Sequence, residues 1–108
     1  MTKARYTSAT DSAKQTQHLF NQGYRIEQIA SMRRLKPNTI EDHLVEMAMY
    51  DVAFKMDVFL TVEQLNEITE TVETYQTRKL RVLKEVLPDY TYFQLRLALA
   101  RGETSDIN

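Results

Sequence analysis

Between Gly23 and Met47 the apolar residues fall into two runs of helical period, parted by four residues that do not belong to either. Ile26, Ile29, Ala30 and Arg33 recur at i, i+3, i+4 and i+7 and predict a helix over about 25–34. Ile40, Leu44 and Met47 predict another over about 38–51. The four residues between are Arg34, Leu35, Lys36 and Pro37. Proline has no N–H to donate and is at home in a helix's first turn, so Pro37 marks a start. Leu35 is left to plug the apolar space between the two. Ahead of them, Thr10 can cap a helix with Asp11 at its positive end. Ala13, Thr16 and Phe20 would line its inner face to about Asn21, and Gly23 is the expected left-handed stop.

The second half follows the same grammar without repeating the sequence. Thr61 with Gln64, and Thr91 with Gln94, both read as capping boxes. Val62, Leu65, Ile68 and Val72 predict a helix ending near Tyr75. Thr77 is expected to open a short one that uses Leu80, Leu83 and Leu87 and stops at Pro88. Tyr92, Leu95 and Leu99 share a face of the last, with Gly102 as its end. Two glycines and two prolines in 108 residues fit long helices better than a sheet with many turns. The expected architecture is all-α, about six helices in one domain over 1–108. It divides into a flexible lead-in (1–9), a three-helix unit (10–51), C-terminal helices (61–102) and a frayed tail (103–108).

The chain has no cysteine, which removes disulfides and thiolate metal sites and agrees with a cytoplasmic location. No apolar run reaches membrane length and no signal peptide is visible, so no membrane partner is expected. No Gly-rich phosphate loop is present either. His18 and His43 are predicted on different helices, and Glu41, Asp42 and His43, being consecutive, point apart on one. Neither a catalytic centre, a metal site nor a cofactor is expected. His43 is read as a half-buried residue beside Leu44 and Met47.

Net charge is -1, but it is segregated. Residues 1–36 hold seven Lys/Arg against two Asp/Glu, and 37–76 hold Lys55 alone against nine acids. Residues 77–108 hold six bases against four acids. Such asymmetry marks either separate partners or pairing between neighbouring helices. Arg33, Arg34 and Lys36 cluster before the helix that opens with Asn38 and Thr39, whose free N–H groups favour a phosphate. They form a candidate DNA-anchoring group, with Lys14 and Arg25 in support, or they are solvated turn charges. Arg78, Lys79 and Arg81, with Lys84, offer a second backbone-binding stripe, or an internal partner for the acids.

The two-helix spacing is that of a helix-turn-helix, yet its second helix carries Glu41, Asp42 and Glu46 and no base from Asn38 to Asp51. Phosphates would repel it, so it is a poor sequence reader. Glu41 and Asp42 are read as first-turn acids that stabilise the helix dipole. The alternative is that Glu41, Asp42 and Glu46 dock on a basic protein surface. Tyr90, Tyr92 and Phe93 could stack on a single-stranded base, but Tyr92 and Phe93 are expected in the core and Tyr90 exposed.

Three stretches together, "TSATDSAKQTQHLFNQG", "TIEDHL" and "RKLRVLKEVLPDYTYFQLRLALA", resemble the helicase-associated helix-turn-helix domain of some RecQ-type DNA helicases and of YpbB-like proteins. The resemblance runs from about Thr7 to Arg101. It implies a non-catalytic accessory module whose partners are DNA, bound non-specifically, and a helicase motor or partner protein. A helix-turn-helix transcriptional regulator is a further alternative, and the acidic second helix speaks against it.

Overall fold

The computed structural model describes residues 9–107, with side chains placed through Gly102. Six helices follow in order: α1 (Asp11–Asn21), α2 (Ile26–Arg33), α3 (Pro37–Tyr50), α4 (Val62–Tyr75), α5 (Leu80–Val86) and α6 (Tyr92–Ile107). Among the described residues there is no strand, and the chain is all-α. The lead-in expected to be flexible lies outside the described residues except for Ala9, which is buried.

Three of these helices begin where a threonine satisfies an otherwise unpaired N–H. The amides of Ala13, Gln64 and Gln94 donate to the hydroxyls of Thr10, Thr61 and Thr91 at 3.2, 3.0 and 3.1 Å. Gln64 and Gln94 answer by accepting from the amides of Thr61 and Thr91, both at 2.9 Å, which closes the two capping boxes. Pro37 is the first residue of α3. Gly23 stands at φ +99°, the left-handed stop after α1. Arg34 caps α2 in the same left-handed region, at φ 59°, a conformation for which glycine or asparagine is usual.

α3 is the hub of the fold. It packs on α1 and α2 and, over the longest contact in the molecule, on α6, which in turn carries α4 and α5. Ile29, Ile40, Leu44, Ile68, Leu83, Leu95 and Leu97 are fully buried where these helices meet. A chain of rings joins the two halves: Phe20 lies 5.8 Å from Phe54 and 5.5 Å from Phe59, and Phe59 lies 5.0 Å from Phe93.

Several expectations are corrected here. α5 begins at Leu80, and Thr77 lies ahead of it, accepting from the Lys79 amide at 3.2 Å. Gly102 does not end α6; residues 103–107, expected to fray, continue the helix. Gly102 is not at positive φ, and a helix-interior glycine costs only about 1 kcal/mol. Val62 shares the period of the inner face but is 70% exposed, because it is the first residue of α4 and burial begins a turn later, at Leu65. The two tyrosines are interchanged. Tyr90 is buried, its hydroxyl 2.5 Å from Glu67, and burial with that bond pushes its pKa up to about 12. Tyr92 is exposed, its ring 5.6 Å from the Lys84 ammonium. Phe93 is half-buried against Phe59, as expected.

Candidate nucleic-acid interface

The position of α3 decides what it can touch. Of its fourteen residues only Pro37, Asn38 and Asp42 are exposed, all within the first six. α6 runs beside the face that includes Asp42, Val45 and Met49, and Arg96 of α6 pairs with Asp42 at 2.7 Å. Glu46 accepts a hydrogen bond from the Thr10 amide, just ahead of α1, and Glu41 is half-buried. Because the helix begins at Pro37, its first turn holds no acid, so Glu41 and Asp42 are not the dipole-stabilising first-turn residues the sequence suggested. Asp42 and Glu46 instead tie α3 to its neighbours, Glu46 half-buried and Asp42 still exposed. Asp42 is 60% and Arg96 34% exposed on the side chain, so solvent screens the pair. Asp42→Asn is expected to lower stability by no more than about 1 kcal/mol in a denaturant titration.

Arg33, proposed from sequence as a phosphate anchor, is turned inward. Its guanidinium donates to the Ser12 carbonyl at 2.9 Å, the Ser12 hydroxyl at 3.1 Å, Gln15 Oε1 at 3.1 Å and the Thr16 hydroxyl at 2.5 Å. Thr16, fully buried, also meets His43 Nδ1 at 2.7 Å, and His43 Nε2 lies 3.3 Å from the Ser12 hydroxyl. This network fixes the end of α2 and the middle of α3 to α1. One signal of it was on view in the sequence: Thr16 is a polar residue on the apolar face of α1, which demands a partner once buried.

Arg34 and Lys36 remain. Both are exposed, and neither side chain has a hydrogen bond or ion pair among the described residues. They flank Leu35 at the mouth of the turn, directly before exposed Asn38 and half-buried Thr39. No side chain caps α3, but the Lys36 carbonyl accepts from the amides of Thr39 and Ile40 at 2.9 and 3.2 Å. The Thr39 N–H expected to be free for a phosphate is therefore engaged, and Asn38 is left at the helix's positive end. Lys14 is exposed on α1 beside a shallow hollow that also holds Asp11, His18 and Arg33.

The other cations lie elsewhere. Arg25 precedes α2 at the end opposite Arg34, about 12 Å away by the rise of an eight-residue helix. It lines an apolar groove of about 660 Å³ with Phe20, Tyr24, Lys55, Val58 and Phe59. Arg78, Lys79 and Arg81 stand at the start of α5, which packs on α4 and α6 and not on the turn. Arg78 donates to the Leu99 carbonyl at 2.8 Å, so one member of the expected stripe braces α6. Among the described residues no three His, Asp or Glu side chains gather as a metal site, and no helix is long and apolar enough to cross a membrane.

A three-helix unit with a tight α2–α3 turn, enlarged by α6, which closes over α3 and carries α4 and α5, defines a helix-turn-helix domain of extended form. A helix-turn-helix domain family model matches residues 12–99, and the chain belongs to that family. It is also 36% identical over 93 residues to protein YpbB of Bacillus subtilis (strain 168). That match takes in 85% of this chain and 26% of YpbB, so the chain spans about a quarter of the relative's length. No solved structure matches.

Proposed function

We propose that this domain is a non-catalytic accessory module of a larger DNA-processing protein, a DNA helicase or a helicase partner, and that it holds DNA by the phosphate backbone. The observation that carries the reading is the contrast between α3 and its turn. α3 exposes no cation, whereas Arg34 and Lys36 stand free beside its uncapped N-terminus. Such a group positions a strand without reading it, because base readout needs side chains reaching the groove edges along the helix. The helicase setting rests on the resemblance of the α1 segment, the "TIEDHL" stretch and the last two helices to the helicase-associated module, while a relative about four times the matched length fits a module within a larger protein.

Fluorescence anisotropy tests it, with single-stranded, duplex and forked DNA of unrelated sequences from about 20 to 200 mM salt. Affinities are expected to agree within about threefold across sequences. The logarithm of affinity should fall against the logarithm of salt with a slope of about 2 to 3, near 0.9 for each phosphate contacted on duplex. A strong preference for one sequence would make the domain a reader of DNA and overturn the proposal. Absence of binding at the lowest salt would overturn it as well.

A further inference from the structure

We propose that His43, Thr16, Ser12 and Arg33 form an acid-sensitive latch, which holds the three-helix unit together only while the His43 ring is neutral and protonated on Nε2. The assignment follows from counting donors. Arg33 has only hydrogens to give, and its Nη1 lies 2.5 Å from the Thr16 oxygen, which therefore accepts. The one hydroxyl hydrogen of Thr16 then goes to the neighbour at 2.7 Å, His43 Nδ1, which must be the bare nitrogen. Nε2 carries the ring's hydrogen toward the Ser12 hydroxyl at 3.3 Å, and that hydroxyl also accepts from Arg33 Nη2 at 3.1 Å. Three helices thus meet through one chain of bonds with a single consistent direction.

A proton added at Nδ1 breaks that direction. Thr16 would face a donor on each side, and an imidazolium would lie with Nδ1 3.4 Å from Arg33 Nη1. The charged groups around the ring oppose one another. Arg33 of α2 disfavours the cation; Asp42 and Glu46 on the ring's own helix favour it. Asp42 is engaged by Arg96 of α6, Glu46 by the Thr10 amide, and α1 contributes to the ring only the neutral Ser12 and Thr16. Burial, seconded by Arg33, prevails, and His43 titrates below the usual 6.5 of a histidine. The sign follows: the unfolded chain takes up this proton before the folded one does. The stability that neutral His43 contributes is complete above 6.5 and is lost as pH falls through the depressed folded value.

Long-range ¹H–¹⁵N NMR of the two imidazoles, between pH 4.5 and 8, reads this directly. The expected result is a neutral His43 ring with its hydrogen on Nε2 and a midpoint below 6.5. Thermal melts over the same range should lose midpoint temperature on the acid side. In His43→Asn, whose amide oxygen can stand in for Nδ1, that loss should shrink, and in His18→Gln it should persist. A neutral ring protonated on Nδ1, or a His43 midpoint at or above 6.5, would overturn the latch, and both readouts need only the wild-type protein.

Discussion

Arg33→Ala is expected to lower the stability of the domain by about 2–3 kcal/mol, near 10–20 °C in melting midpoint for a domain of this size. The change removes four hydrogen bonds from a charged donor and leaves the oxygens of Ser12, Gln15 and buried Thr16 to find other partners. The informative companion is Arg33→Lys, which keeps the charge and loses the planar fork. One ammonium cannot reach the two sides that Nη1 and Nη2 serve, so it is expected to recover less than half of the loss. A residue that served DNA by its charge would behave in the opposite way: stability indifferent, and binding kept by lysine. At a temperature where Arg33→Ala remains folded, the salt slope of DNA binding should therefore be unchanged. A slope smaller by about 0.9, with wild-type stability, would return Arg33 to the phosphate-anchoring group.

The sequence disclosed the helices more fully than it disclosed their surfaces. Thr10, Thr61 and Thr91 announce helix starts because a cap is a local event, settled within four residues. Gly23 announces a stop for the same reason. What a helix's outer face meets is settled by residues far away. Asp42 reads as a dipole-stabilising acid until Arg96, 54 residues later, is brought alongside it. Tyr90 reads as a loop tyrosine until Glu67, 23 residues earlier, takes its hydroxyl. Gly102 looks like Gly23 in the sequence, and only the backbone angle separates a stop from an interior residue. The same reason explains the candidate site. The run Arg33, Arg34, Lys36 was visible as a cluster, but a cluster in sequence does not tell inward from outward. Arg33 ends α2 on the side facing α1, while Arg34, in the left-handed cap that follows, is turned to solvent.

That division yields the largest effect expected on binding. Arg34→Asn with Lys36→Gln removes both free cations of the turn without breaking a hydrogen bond or ion pair, since neither side chain has one among the described residues. Arg34 sits at φ 59°, ψ 44°, where an L-residue other than glycine or asparagine is strained by about 1 kcal/mol. The double variant should thus melt at or slightly above the wild-type temperature. Strain alone does not argue for a role, because Gln76 caps α4 at φ 51° in the same way. Arg34 differs in joining two properties: it is a cation kept in an unfavourable conformation, and its charge is unused by the fold. DNA affinity at about 50 mM salt is expected to fall by about 10- to 100-fold on every sequence, and the salt slope to drop by close to 2. Lys79→Gln with Arg81→Gln, which removes as much charge from the start of α5, is the control for a purely general effect of net charge. If both double variants weaken binding alike, the turn has no special part in it. If only the turn variant does so while its fold is intact, the strand is held where α2 meets α3.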